Sequence, residues 1–236
     1  MESSAREFGA LQDPIARDST LVFDVNETLL DLAWLDPIFA RTLASSALRP
    51  QWFAQMLQLA FVGAITGEYV DFPSAQRAAL KMLARRSGHS LGEAEVDQTV
   101  EAMSHLPPHP DASPGLSRLA RAGWRLVALT NSPLSVVEAQ LSNSGLREHF
   151  SAVFSADQVR QLKPAAAAYH LVSSRLGIDP GQMCLVAAHA WDVSGAGTAG
   201  CQTVFVARGG SVPSPLGAQP SLEVATITEL ADRLGS

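Results

Sequence analysis

The chain of 236 residues is long enough for one large domain, or for a domain that carries a sizeable insertion. Hydrophobic residues make up 47% of it and charged residues 17%, as in packed globular proteins. The net charge is only −6, without a block of like charges, which argues against bulk attraction to nucleic acid or anionic membranes. Two cysteines, Cys184 and Cys201, are too few for a disulfide framework and are expected to be small buried side chains.

The first residues, MESSAREFGALQDPIARDS, are polar and mixed in charge, unlike a signal peptide with its apolar centre. The longest apolar runs, such as LVALT and VFVA, are far shorter than a membrane span. We therefore expect a soluble protein of the cytoplasm.

Five short runs of apolar residues are predicted to form strands. They cover residues 21–23, 126–129, 152–155 (the weakest), 183–187 and 203–206. Most of them are followed by helical patterns. Continuous apolar runs that alternate with helices predict an α/β fold, in which a parallel sheet is covered on both faces.

The interval between the first and second of these runs differs, because residues 35–105 show a helical pattern throughout. Trp52, Met56 and Leu59 are spaced as on one face of a helix, and the three prolines of LPPHPD end the segment.

We predict a Rossmann-like, doubly wound core domain from residues 1–34 and 107–236. A helical cap domain, residues 35–106, is inserted after its first strand. A loop at 209–220 is expected to precede a last helix near 227–234.

Ligands of such sheets bind beyond the carboxyl ends of the strands. Polar residues stand at four such places: 24–28, 130–132, the region of Lys163, and 189–192. Because these ends share one edge of a parallel sheet, the sequence predicts that their side chains converge.

Each place also has a simpler structural explanation. Asp24 and Asp192 are suited to cap the segment that follows, and serine or lysine before Pro133 or Pro164 is expected to precede a helix that opens at the proline. Lys163 is electrostatically unfavourable before a helix N-terminus, which indicates a carboxylate partner, with an ordinary surface lysine as the alternative. Each structural explanation is plausible alone, but all four holding independently is much less probable than any one. The four places together therefore favour a functional site.

In their order, FDVNETLLDL, the helical cap, LTNSP, LKPAAAAY and AAHAWDVSGAGTAG resemble the haloacid dehalogenase superfamily. Within it, nearly the whole chain is similar to the type II (L-2-haloacid) dehalogenases. The resemblance implies a hydrolase that cleaves the carbon–halogen bond of short 2-haloacids through a covalent aspartyl ester, giving 2-hydroxy acids. It implies a small halogenated carboxylic acid as substrate and no cofactor, and it leaves a homodimer open.

The same resemblance implies residue roles. Asp24 matches the nucleophile and Thr28 the residue that helps to hold it. Thr130 matches the residue that bonds the nucleophile or the substrate carboxylate, and Asn131 the asparagine near the leaving halide.

Three further roles are implied deeper in the chain. Lys163 matches the lysine that keeps the nucleophile ionised, and Tyr169 the tyrosine that contacts this lysine and the pocket. Asp192 matches the acid that pairs with Lys163 and helps to place the hydrolytic water.

Two departures speak against a phosphatase. Asn26, which we place among the substrate-binding residues, stands where phosphatases of the superfamily carry a second aspartate, and Ala188 stands where they carry an acidic magnesium ligand. Magnesium prefers carboxylate oxygens, so we predict no metal. A phosphatase-like hydrolase and a non-catalytic binding protein remain the alternatives.

Other departures concern the substrate. Type II dehalogenases have serine and asparagine at Ala187 and His189, and the arginine of their cap that binds carboxylate and halide falls on Phe53. Arg49, one helical turn earlier, is the nearest substitute. His189, beside Trp191 in the expected pocket, acts either as a general base with an ordinary pKa near ~6.5 or only by shaping the pocket.

Overall fold

The computed structural model describes residues 15–235. The predicted polar N-terminal segment, and with it the start of the range 1–34, lies mostly outside the described residues. The strands are β1 (Thr20–Phe23), β2 (Arg125–Thr130), β3 (Ala152–Ser155), β4 (Met183–Ala187), β5 (Gln202–Val206) and β6 (Leu222–Val224).

Nine α-helices lie in the described part of the chain. They are α1 (Asp36–Leu43), α2 (Leu48–Thr66), α3 (Phe72–Arg86), α4 (Glu93–Glu101), α5 (Ala112–Arg121), α6 (Leu134–Asn143), α7 (Ala166–Leu176), α8 (Ala190–Thr198) and α9 (Ile227–Leu234). Short 3-10 helices cover Leu32–Leu35, Ala102–His105, Arg147–His149, Ala156–Val159 and Pro180–Gln182. None of the helices described is both long and apolar enough to cross a membrane.

The strands form one parallel sheet in the order β3-β2-β1-β4-β5-β6. From β1 the chain builds outward to β2 and β3, then returns to the other side of β1 for β4, β5 and β6. The order therefore reverses between β1 and β4, which is where doubly wound sheets bind ligands. The predicted fold class is confirmed.

Alternate residues of each strand enter the two hydrophobic layers of the core. Leu21 and Phe23 of β1 belong to the layer that α5, α6 and α9 cover, whereas Val22 belongs to the layer under α7 and α8. Burial of both sheet faces explains why the strands read as continuous apolar runs.

Helices α1 to α4 occupy the interval between β1 and α5, as the helical pattern indicates. Trp52 of α2 is fully buried, stacks near Phe39 with 5.3 Å between ring centroids, and donates its indole N–H to the backbone oxygen of Gln76 at 3.0 Å. These contacts join three of the helices. The division into a core and a cap at residues 35–106 stays a prediction.

Two local predictions are wrong, and one strand was not predicted. Strand β6 was not expected, because it has three residues, lies at the sheet edge and contains the exposed Glu223. Helix α6 begins at Leu134, one residue after Pro133, and α7 begins at Ala166, two residues after Pro164. In both loops, side chains of the strand ends, rather than the proline, fix the chain before the helix.

Candidate active site

Asp24 directly follows β1, and its backbone N–H continues the ladder to the oxygen of Val186 at 3.0 Å. The residue is only 4% exposed and lies at the edge where the sheet order reverses. A buried carboxylate requires compensating partners. The structure supplies them from three other segments of the chain.

The partners of Asp24 divide between its two oxygens. Lys163 donates from Nζ to Oδ1 at 2.8 Å, and Thr28 donates from its hydroxyl to Oδ2 at 2.7 Å. Nδ1 of His189 lies 3.1 Å from Oδ2. Burial by itself would raise the pKa of Asp24, but the charges of Lys163 and His189 outweigh it and hold the pKa well below the usual range.

Lys163 is 1% exposed and uses all three of its N–H donors. Besides Asp24, its Nζ bonds Oδ2 of Asp192 at 2.6 Å and the backbone oxygen of Leu129 at 3.0 Å. Burial would lower its pKa, yet Asp192 and Asp24 raise it above the ordinary value. The prediction of a carboxylate partner is correct, since Lys163 has two.

Asn131 fixes the backbone of Lys163 from the end of β2. Its Oδ1 accepts from the N–H of Lys163 at 2.7 Å, and its Nδ2 donates to the oxygen of the same residue at 3.1 Å. The neighbouring Thr130 accepts on its hydroxyl oxygen from the N–H of Ser132 at 3.2 Å. In this structure Asn131 and Thr130 thus hold the loops around the carboxylate.

Asp192 is fully buried as the third residue of α8 and does not cap that helix. Its Oδ1 accepts from the hydroxyl of Tyr169 at 2.6 Å, and its Oδ2 accepts from Lys163. Burial raises the pKa of Asp192, and the charge of Lys163 offsets only part of this. With both oxygens engaged, the geometry favours the pairing role of Asp192 over the placement of water.

His189 lies between two carboxylates and between two aromatic rings. Its Nδ1 faces Asp24, and its Nε2 lies 2.8 Å from Oε2 of Glu27. The rings of Phe53 and Trp191 stack near it, at centroid distances of 5.6 Å and 5.1 Å.

This setting corrects the ordinary pKa that the sequence analysis gave to His189. Burial alone would lower it, but the hydrogen bonds to Asp24 and Glu27 raise the pKa to about 9. The ring is therefore an imidazolium at neutral pH and has no lone pair to accept a proton. The geometry favours a cation over a general base.

Asn26 lies outside this cationic cluster. Its Oδ1 accepts from Gln140 at 3.0 Å, and its Nδ2 donates to the hydroxyl of Ser132 at 3.4 Å. Gln140 also donates to the backbone oxygen of Met103, which ties α6 to the 3-10 helix that follows α4. In this arrangement Asn26 is a structural amide beside Asp24, not an acid.

A chamber of about 10 Å³ lies in front of Asp24. Its wall consists of Asp24, Asn26, Phe53, Phe72, Thr130, Asn131, Lys163, His189 and Trp191. The volume admits one water at most. Among the described residues, no acceptor lies within hydrogen-bond distance of the buried indole N–H of Trp191.

A larger cavity of about 450 Å³ lies on the other side of His189, which contributes to the walls of both. Arg49 lines this outer cavity, 3.7 Å from Oε1 of Glu27 and 2.6 Å from Oδ1 of Asp36. Arg49 does not line the inner chamber. The structure thus separates it from Asp24 by Glu27 and His189.

Eleven of the twelve predicted site residues therefore converge: nine line the inner chamber or contact Asp24, and Tyr169 and Asp192 lie directly behind Lys163. Arg49 is the exception. Sequence reasoning missed Glu27 and Gln140. The available signal for Glu27 was an acid three residues after Asp24 in a chain that also carries an unexpected histidine at 189. Nothing in the spacing indicated Gln140.

The described geometry has known counterparts. The family model of haloacid dehalogenase-like hydrolases matches residues 19–200. (S)-2-haloacid dehalogenase 4A of Burkholderia cepacia is 30% identical over 211 residues, which are 89% of this chain and 91% of that protein. (S)-2-haloacid dehalogenase H-109 of Pseudomonas putida is 27% identical over 216 residues, 91% of this chain and 96% of its own.

A solved structure of a dehalogenase has a similar fold. L-2-haloacid dehalogenase from Xanthobacter autotrophicus with chloropropionic acid covalently bound superposes with a TM-score of 0.84 at 26% identity, covering 91% of this chain and 97% of that chain. The resemblance inferred from the motifs is confirmed. The chain belongs to the family of haloacid dehalogenase-like hydrolases.

Proposed function

We propose that this protein is a hydrolytic dehalogenase that cleaves the carbon–halogen bond of short 2-haloacids through an ester on Asp24. The observation that carries the proposal is the state of Asp24, a buried carboxylate kept ionised by Lys163 in front of a chamber walled by aromatic rings. The covalent complex of the Xanthobacter relative with chloropropionic acid supports it.

In the first step, an oxygen of Asp24 attacks the carbon that bears the halogen. The carbon–oxygen bond forms as the carbon–halogen bond breaks, and the halide leaves with the bonding electrons. Attack from the face opposite the halogen inverts that carbon. Splitting the displacement into two steps is the gain of covalent catalysis.

In the second step, water adds to the ester carbonyl of Asp24. The acyl carbon–oxygen bond breaks, the 2-hydroxy acid leaves with the original ester oxygen, and a proton is released. Lys163 contacts Oδ1 of Asp24, so its charge also stabilises negative charge that develops on that carbonyl group.

Substrate entry requires movement, because a haloacid is larger than the inner chamber of about 10 Å³. Phe53 and Phe72 of the wall come from the cap helices α2 and α3, whereas Trp191 comes from α8 of the core. The wall crosses the boundary between the two proposed domains. Separation of cap and core therefore opens the chamber.

The test is halide release from 2-chloropropionate, 2-bromopropionate and chloroacetate, each enantiomer separately where one exists. We expect equimolar halide and 2-hydroxy acid, and no release by the Asp24→Asn variant as control. Magnesium-dependent release of phosphate from phosphate esters, without halide release, would instead establish the phosphatase alternative. A homodimer, a cytoplasmic location and the absence of a nucleic-acid partner remain predictions.

A further inference from the structure

We infer that Glu27 is a positioning residue, which holds His189 as the cation that receives the anionic group of the substrate. The inference rests on the proposed dehalogenase function and names the group that binds the monoanion, either the substrate carboxylate or the departing halide. Four observations carry it.

First, Lys163 and Asn131, two polar residues of the inner chamber, are already engaged with other groups of the protein. Lys163 has three N–H donors, and Asp24, Asp192 and the backbone of Leu129 take all three. Asn131 is bonded to the backbone of Lys163 through both ends of its amide. An incoming anion therefore finds no free donor on Lys163.

Second, His189 contributes the only other cationic side chain in the described wall of the inner chamber. Its contact to Asp24 is 3.1 Å, longer than the 2.7 Å and 2.8 Å contacts of Thr28 and Lys163 to the same carboxylate. Of the three, it is the contact that is most readily exchanged for one to an anion. The ring of Trp191 stacks on His189, and its buried indole N–H, which has no acceptor among residues 15–235, offers a second donor.

Third, Glu27 is fixed against the outer nitrogen of His189. Its Oε2 lies 2.8 Å from Nε2, its backbone oxygen is 3.0 Å from Nε2 of His109, and Arg49 approaches its other carboxylate oxygen. Glu27 adopts φ 62°, a left-handed conformation that favours glycine. Glutamate at a position that favours glycine has a conformational cost, and the contact of its carboxylate with His189 offsets part of that cost.

Fourth, the groups around the ring favour its charged form. Asp24 and Glu27, both in the loop after β1, face its two nitrogens. The charge of Asp192, on the helix that follows His189, is neutralised by Lys163. Nζ of Lys163 lies 5.9 Å from the ring centroid of Trp191. Arg49 of α2 is linked to His189 only through Glu27. Phe53 occupies the other side of the ring, where the resemblance places the arginine of the cap.

The experiment follows the ring of His189 by NMR in protein with isotope-labelled histidine, across pH and with propionate or bromide as probe. The variants are Glu27→Gln and Glu27→Gly, the second of which suits the backbone at φ 62°. Asp36→Asn is the matched control, because Asp36 pairs with Arg49, which in turn lies beside Glu27. Turnover of 2-chloropropionate is measured on the same samples.

We expect His189 to titrate near pH 9 in the parent protein and at least one unit lower in both Glu27 variants, with Asp36→Asn unchanged. KM should rise at least tenfold in the Glu27 variants, with a smaller change in kcat. A response of the ring to propionate assigns the carboxylate to His189, and a response to bromide assigns the halide. If neither probe affects the ring, or if the Glu27 variants keep the parental titration and KM, the inference is wrong.

A second comparison separates charge from packing. His189→Asn should raise KM, and adding Phe53→Arg should recover most of the loss, because the cation returns on the opposite side of the pocket. Without recovery in a folded double variant, the charge of His189 is not what the substrate requires. Because the NMR readouts need no turnover, a protein that binds these anions but releases no halide would refute the dehalogenase and leave the Glu27–His189 assignment standing.

Discussion

At the scale of single residues, the site is a network of paired charges built on one buried carboxylate. Lys163 lies between Asp24 and Asp192, and His189 lies between Asp24 and Glu27. Two carboxylates around each cation keep both cations protonated, while both cations keep Asp24 ionised. Asp24, the proposed nucleophile, is therefore charged throughout the neutral pH range.

Replacement of Asp24 by asparagine should abolish turnover and leave the fold intact. An amide is a poor nucleophile, whereas its size and its contact with Thr28 are close to those of the carboxylate. Halide release measures the first effect and circular dichroism the second. More than a few per cent of residual activity, with deamidation excluded by mass spectrometry, would mean that Asp24 is not the nucleophile.

His189 also makes stability depend on pH. Its pKa is raised to about 9 from an ordinary value of 6.5, so its stabilising contribution is complete below about pH 6.5 and is lost as the pH rises through 9. The loss is at most about 3 kcal/mol. Urea unfolding between pH 6 and 10 should show this decline in the parent protein and a flatter curve in His189→Asn. Parallel curves for the two proteins would contradict the raised pKa.

The residues of the nucleophile network could be predicted from the sequence because each stands directly after a strand or before a helix. Asp24, Lys163 and Asp192 belong to motifs that keep their order along the chain. The pairing of Glu27 with His189 could not be predicted, because it depends on a left-handed backbone at Glu27 and on which nitrogen faces which carboxylate. The backbone conformation and the orientation of the ring are determined by tertiary contacts, which the spacing of residues along the chain does not reveal.

At the scale of elements, the site depends on the close approach of α8 to the loop that carries Lys163. Gly195 of α8 makes this approach: an added Cβ would lie 2.5 Å from Cβ of Pro164 and 2.7 Å from the hydroxyl of Tyr169. Asp192 is one helical turn earlier on the same helix. The missing side chain at Gly195 therefore allows the part of α8 that carries Asp192 to lie close to the loop of Lys163.

Gly195→Ala should destabilise the protein by about 1–3 kcal/mol and lower activity, because overpacking pushes α8 away from Pro164. Gly181→Ala is the matched control, since its added Cβ has no atom within 4 Å. Urea unfolding and halide release compare the two variants. Equal stability and activity in both would show that α8 tolerates the shift and that the close approach is not required.

Elements with a clear hydrophobic pattern were predicted well. The short edge strand and the exact starts of two helices were not. The five predicted strands lie on β1 to β5, because burial of both sheet faces leaves continuous apolar runs. Strand β6 escaped prediction because an edge strand of three residues buries little surface. The starts of α6 and α7 were misplaced because tertiary hydrogen bonds, such as those of Asn131, overrode the local preference of the prolines.

At the scale of the whole molecule, the sheet brings together residues that are far apart in the sequence, and side chains of α2 and α3 complete the chamber around them. Asp24 and Lys163 are separated by 139 positions, yet their side chains are in contact. The chamber in front of Asp24, walled in part by the aromatic rings of Phe53, Phe72 and Trp191, has room for one water at most. A dry site strengthens the electrostatic contacts on which the network depends.

We predict that activity survives exhaustive treatment with EDTA. Both oxygens of Asp24 already face cations, Lys163 and His189, and the residues next to it are Asn26 and Ala188 instead of acids. A divalent cation at Asp24 would therefore meet positive charge and too few carboxylates. Halide release is measured before and after chelation, and again after magnesium is added. Loss of activity that magnesium restores would overturn this view of the site.

The central claim, an ester on Asp24, is tested most directly by a single turnover in H₂¹⁸O with enzyme in excess over 2-chloropropionate. Water attacks the carbonyl carbon of the ester, so the first product should carry unlabelled oxygen at its new hydroxyl group. The peptide that contains Asp24 should gain one ¹⁸O, read by mass spectrometry after digestion. Labelled product from the first turnover, with an unlabelled Asp24 peptide, would mean that water attacks the substrate directly and would contradict the account.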